Sequence, residues 1–171
     1  ELFSPTVETG NLGKAFIDGT GLAGLYGHDK NLALLISSEI HQRTHFEATI
    51  GVGSSKFVAE IAARLSYYQQ PHIVRRGREK EFLEPLPSSL LPISRETQKR
   101  FNLLGLRTMG QIASLPWDAL ANQFGEDGIL ASQLANGIDT RPLVPRAKPA
   151  ILENELSCEN PLDSFDALIS S

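Results

Sequence analysis

Apolar positions recur at two periods along the chain, and they predict alternating strands and helices followed by helices alone. Phe3–Glu8 is short and β-leaning, and Lys14–Asp18 is apolar at Ala15, Phe16 and Ile17. With Gly10 and Asn11 between them, the two read as a hairpin. Gly19, Gly21, Gly24 and Gly27 then mark a loop. Asp29 is the expected N-cap of a helix reaching about Thr44, with Leu32, Leu35, Ile36 and Ile40 inward at helical spacing. Glu47–Val52 reads as a strand, bounded by a turn at Gly51 and Gly53. Ser54 or Ser55 can cap a second helix, Lys56–Tyr67, with Val58, Ile61, Ala62 and Leu65 inward. Strand, strand, helix, strand, helix indicates an α+β layer with two helices on one face of a mixed or antiparallel sheet.

From Pro71 to Pro92 four prolines rule out long regular elements, and only a short helix at Glu79–Leu83 fits between them. Beyond Pro92 the pattern becomes purely helical. Ser94 caps a helix that carries Thr97 and Phe101 and stops at Leu104–Gly105. Thr108 caps another, through Ile112 and Ala113. Pro116 sits at the first turn of a third, Trp117–Phe124, with Trp117 expected in the core, and Asp127–Ala135 forms a fourth that ends at Gly137. The stretch after Asp139 is proline-rich and basic, an extended linker. Ile151–Ser157 alternates like a strand, and Pro161 starts a last helical turn.

Composition sharpens this picture at three points. No apolar run is long enough to span a membrane. The single cysteine, Cys158, excludes an internal disulfide and a cysteine-based zinc site, which fits a cytoplasmic protein. The chain opens on Glu1 with no signal peptide, as expected of an excised piece of a longer protein. The net charge of −4 is the wrong sign for a simple nucleic-acid binder, but the charge is segregated. Residues 1–71 sum to −2, residues 72–110 to +4 and residues 111–171 to −6. The basic centre can present an anion-binding face on an acidic protein, or be a solvated surface between domains.

Several patterns fall short of a known chemistry. Gly10-x-x-Gly13-Lys14-Ala15 has the wrong spacing for a phosphate-binding loop. Gly51-x-Gly53-x-x-Lys56 lacks the third glycine of a dinucleotide fingerprint. His41 and His45 are four apart, but without a third ligand they read as structural or surface histidines. Tyr67 and Tyr68 read as a helix end packed on the connector.

Four collinear segments carry a family resemblance. Asn11–Gly21, NLGKAFIDGTG, resembles the strand of Y-family (translesion) DNA polymerases that runs Ser-Ile-Asp-Glu-Ala-Phe-Leu-Asp-x-Thr-Gly. Thr49–Ala62 resembles their Gly-Ile-x-x-Asn-Lys-x-x-Ala-Lys-Ile-Ala stretch, with Glu60 replacing a common lysine. Leu86–Leu120, containing LGLRTMGQIASLP, resembles their thumb. Gly137-Ile138-Asp139-x-Arg141-Pro142-Leu143 resembles the start of their linker to the little finger. The resemblance implies that residues 1–71 are the C-terminal part of a palm and residues 72–92 a connector. It makes residues 93–138 an all-α, helix-hairpin-helix-like thumb, residues 139–150 a linker and residues 151–171 the start of a little finger.

It also implies what has been lost. Gly13 and Lys14 stand where the family carries the Asp and Glu that hold catalytic magnesium. Glycine offers no ligand and an ammonium repels a cation. The resemblance is closest to the ImuB-like branch, whose members lack these carboxylates and are associated with bacterial damage-induced mutagenesis. No catalytic residue and no cofactor are therefore expected in this fragment, against magnesium in active relatives. Lys56 falls on the lysine that contacts the incoming triphosphate. Sequence-independent contact with the DNA backbone is expected from Ser94, Arg95, Lys99, Arg100, Gly105, Arg107 and Thr108, although Ile93-Ser94-Arg95 replaces the usual Gly-x-Gly of the first turn. The implied partners are DNA, the sliding clamp, an ImuA-like protein and an error-prone C-family polymerase. The alternative is an active translesion polymerase whose metal ligands come from other carboxylates and from sequence upstream.

Overall fold

The computed structural model describes residues 3–145 except Pro5 and Leu12. The expected strand at 151–157, the helical turn at Pro161 and the end of the linker lie outside the described residues. The architecture is α+β. Strands β1 (Val7–Thr9) and β2 (Ala15–Ile17) form an antiparallel hairpin with Val7 opposite Ile17 and Thr9 opposite Ala15. A four-residue helix, α1 (Ala23–Tyr26), leads into α2 (Asp29–Thr44). Strand β3 (Gly51–Val52) lies against α3 (Lys56–Arg64) and pairs in parallel with β4 (His72–Ile73). Helix α4 (Glu79–Leu83) and a 3₁₀ turn at Ser88–Leu90 lead to α5 (Arg95–Leu103), α6 (Met109–Ala113) and α7 (Trp117–Ala135).

Close backbone approach explains Gly51. A Cβ there would overlap the Ala63 nitrogen and the Ala59 oxygen of α3, so only glycine lets β3 lie on that helix. Phe57, Val58, Ile61 and Ala62 of α3 then enter one continuous core. It also takes in Val74, Leu83 and Leu91 of the connector and Phe101, Met109, Ile112, Leu120, Ala131, Leu134 and Ala135 of the helical part. The connector is thus a packed part of the core. The rings of Phe101 and Phe124 meet edge to face, with centroids 4.8 Å apart.

Local chemistry sets several helix ends as the sequence predicts. Ser55, Ser94 and Thr108 cap α3, α5 and α6 by accepting from the N–H groups of Val58, Thr97 and Gln111. Gly105 and Gly137 take left-handed backbones after α5 and α7.

Other expectations are corrected. The first strand is Val7–Thr9, not Phe3–Glu8. The N-cap of α2 is His28, and Asp29 lies in the first turn. Its buried residues are Ala33 and Ser37, while Leu35 is half exposed. The Ser37 hydroxyl donates to the Ala48 carbonyl, so the small face of the helix takes the returning chain. The third strand shrinks from Glu47–Val52 to Gly51–Val52 because its partner has only two residues. Helix α3 stops at Arg64, leaving Leu65 42% exposed, and Tyr67 pairs with Gln70 in a tight turn. Tyr68 packs on His41 of α2, centroids 5.2 Å apart. Trp117 is 56% exposed at the start of α7 instead of in the core. The two expected helices over 117–135 do form: α7 is interrupted at Gly125, whose backbone (φ 60°, ψ −137°) is non-helical, between the two expected spans.

Candidate functional site

The hairpin turn places Gly13 and Lys14 at the end of the β1–β2 pair. The Lys14 N–H donates to the Asn11 carbonyl at 2.9 Å, and the Gly10 N–H to the Lys14 carbonyl at 2.9 Å. Gly13 has φ +80°, where a side chain is strained although the space beside it is open. The Lys14 ammonium lies 3.0 Å from Glu60 Oε1 on α3. Arg64 reaches the same oxygen at 2.9 Å. Burial opposes ionisation of Glu60, but Lys14 and Arg64 outweigh it and hold its carboxyl below the usual range.

Lys56 opens α3 beside this pair. Its ammonium is 3.0 Å from both Glu8 oxygens, and both side chains are largely buried. Glu8 Oε2 also accepts from the Val144 N–H at 2.7 Å. That bond, together with Lys56, holds the Glu8 carboxyl below its ordinary value. The ammoniums of Lys14 and Lys56 lie 5.5 Å and 5.8 Å from the centroid of the same Phe16 ring. The start of α3 already carries an anion: the Phe57 N–H donates to Asp139 Oδ2 at 2.9 Å. Arg141 holds that carboxylate with Nε at 2.7 Å and Nη2 at 2.9 Å. Lys56 is therefore ion-paired, and the Phe57 and Val58 N–H groups at the helix start have partners within the chain.

This donor set does not fit a divalent ion. Gly13 supplies no oxygen, Lys14 brings a positive charge, and Glu8 and Glu60 are each engaged by cations. Asp18 is engaged as well, accepting from the Thr20 N–H at 2.9 Å. Among the described residues no group of three or more His, Cys, Asp or Glu side chains converges. Two shallow concavities, beside Glu126–Gln133 and beside His72–Phe82, border none of Gly13, Lys14 and Lys56.

The basic thumb-like surface is separate. Ser94 is exposed, and its N–H donates to Asp127 Oδ2 at 3.2 Å, as the Thr97 hydroxyl does at 2.7 Å. These bonds hold the Asp127 carboxyl below the usual range. Arg95 and Lys99, one turn apart on α5, are exposed, and neither makes an ion pair among the described residues. Arg100 is used internally: it donates to the Gln123 carbonyl at 2.9 Å and stacks 4.7 Å from the Phe124 centroid. In the second turn Gly105 donates to the Asn102 carbonyl, and Gln111 Oε1 accepts from both Arg107 and Thr108. Met109 and Gly110 donate to the carbonyls of Leu86 and Glu84. The N–H groups of this turn are thus used inside the fold, and the exposed Arg107 side chain is its free chemistry.

Sequence reasoning missed the pairings that Glu8, Glu60, Asp127 and Asp139 make. The Asp139-x-Arg141 spacing and the lysine-to-glutamate change at position 60 were the local signals available.

Comparison with known proteins supplies the wider frame. The impB/mucB/samB family model matches residues 1–64. A protein named DNA polymerase IV from Dehalococcoides mccartyi is 32% identical over 158 residues, covering 92% of this chain and 40% of that relative. One of the same name from Yersinia pseudotuberculosis is 29% identical over 144 residues, covering 84% and 41%. The chain therefore spans about two-fifths of the length of these relatives. The crystal structure of DinB from Sulfolobus solfataricus superposes with a TM-score of 0.70 at 23% identity, over 83% of this chain and 42% of that one, a likeness of fold. Among the described residues no helix is long and apolar enough to cross a membrane. With a family match over residues 1–64 and collinear relatives over nearly its whole length, this chain is similar to a fragment of a Y-family DNA polymerase.

Proposed function

We propose that this chain is palm and thumb from a non-catalytic Y-family protein of DNA damage tolerance, one that uses the polymerase fold to hold DNA and partner proteins. The observation that carries the reading is the Lys14 ammonium, held 3.0 Å from Glu60 Oε1 at a position where the resemblance implies a carboxylate. Two-metal phosphoryl transfer needs carboxylates that hold two ions about 4 Å apart. A cation at one ligand position and a glycine at the other work against both. DNA contact is sequence-independent and comes from the side chains of Arg95, Lys99 and Arg107, with Lys56 a second phosphate contact only where its pair with Glu8 opens. On the ImuB-like reading the partners are the sliding clamp, an ImuA-like protein and an error-prone C-family polymerase, and the setting is the cytoplasm.

Fluorescence anisotropy of a labelled primer–template tests this from low to moderate salt. Binding is expected to weaken steeply with salt and to vanish in an Arg95→Glu/Lys99→Glu/Arg107→Glu variant. Binding unchanged in that variant would refute the assignment. A second reading, an active polymerase, draws on relatives named DNA polymerase IV. It requires metal ligands other than positions 13 and 14.

A further inference from the structure

Glu60 has no assigned role, yet it is the residue on which the hairpin turn closes. Its Oε1 lies 3.0 Å from the Lys14 ammonium and 2.9 Å from Arg64. Lys14 belongs to the hairpin, and Glu60 lies on α3, the helix whose other face fills the core. In the motif frame, position 14 carries a carboxylate and position 60 a lysine. Here both signs are reversed, and the two side chains meet. A lysine alone at position 14 would lose its one carboxylate partner, and a glutamate alone at position 60 would keep Arg64 and the nearby Arg141 charge. Together they satisfy each other.

We infer that Lys14 and Glu60 are an exchanged charge pair, in which Glu60 is a positioning residue that seats the Lys14 ammonium and pins the hairpin turn to α3 without a metal ion. This rests on the reading of a metal-free hairpin. It adds a specific consequence. A carboxylate restored at position 14 would face the one at position 60, so rebuilding an acidic hairpin requires position 60 to change as well.

The test is a charge-reversal cycle read by thermal unfolding in chelator at low salt. It uses an Arg64→Gln background so that Arg64 does not compete for the same oxygen. Lys14→Glu and Glu60→Lys are each expected to lower Tm by about 1–4 °C, as a partly exposed pair in a chain of this size should. The double reversal should return Tm to within about 1 °C of the background. A double variant as unstable as the sum of the singles would overturn the pairing. The neutral variants Lys14→Met and Glu60→Gln give the same information without repulsion: the second change should cost almost nothing once the first is made, and full additivity would overturn the inference. In the same way Gly13→Asp/Lys14→Glu should melt below Gly13→Asp/Lys14→Glu/Glu60→Lys, and the reverse order would refute it. Nucleotide incorporation by the unaltered protein would overturn the underlying reading, and it is measured independently of the cycle.

Discussion

Replacing Asp139 with alanine probes how the end of the helical part is fastened to α3. The Asp139 side chain is 2% exposed and accepts from the Phe57 N–H at 2.9 Å, while Arg141 Nε and Nη2 bind it at 2.7 and 2.9 Å. Phe57 is itself buried, so its N–H gains no water when the carboxylate goes. A hydrogen bond to a charged group contributes about 1.5–3 kcal/mol. A negative charge at a helix start adds about 0.3–1 kcal/mol. The pair with Arg141 adds little, because that guanidinium is half exposed. Asp139→Ala should therefore cost about 2–3 kcal/mol, or about 5–10 °C in Tm for a chain of this length. Asp139→Asn keeps an acceptor for Phe57 and should cost about 1 kcal/mol.

Acid pH gives the same comparison a second axis. Burial of Asp139 opposes its ionisation, but Arg141 and the N–H groups of Phe57 and Arg141 prevail and hold its carboxyl below the usual range. A carboxyl depressed in the folded state contributes stability above its unfolded pKa, about 3.9, and loses it as pH falls through the folded value. The gap between wild type and Asp139→Ala should thus be full at pH 7 and narrow below about pH 4. Urea unfolding across that range measures it. A cost under about 0.5 kcal/mol for Asp139→Ala at pH 7, or one equal to that of Asp139→Asn, would refute the reasoning.

Two further predictions concern the scaffold. Gly51→Ala should destabilise by at least about 3 kcal/mol or prevent folding, because the new methyl meets α3 backbone that cannot yield; soluble yield and urea midpoint report it. Thr108→Ala should cost about 1 kcal/mol by removing one half of the capping box it forms with Gln111, with the loss seen as a lower urea midpoint and an unchanged slope.

What was legible in the sequence was local. Ser94 and Thr108 announce caps because a hydroxyl at that position satisfies a free N–H, and Gly105 announces a left-handed end. Glu79–Leu83 is the one helix the surrounding prolines leave room for, and it forms there. The buried face of α2 was not legible, because apolar periodicity favoured Leu35 while the packing is made by Ala33 and Ser37 against a returning chain. Trp117 misled as well: aromatic character points to burial, but the side chain is 56% exposed at the start of α7. The polar contacts of the candidate site join residues far apart: 48 positions for the ion pair of Glu8 and Lys56, and 82 for the hydrogen bond from the Phe57 N–H to Asp139. No periodicity carries such information. That Gly13 and Lys14 offer no carboxylate is plain from residue type, whereas the carboxylate that answers Lys14 needed the fold.

The most direct test of the account is primer extension by the unaltered protein in its full-length form, with magnesium and then with manganese. No template-directed incorporation is expected with either ion, under conditions in which an active Y-family polymerase extends the same primer. Incorporation that depends on the added ion would contradict this, and would mean that a metal site is assembled from residues other than Gly13 and Lys14.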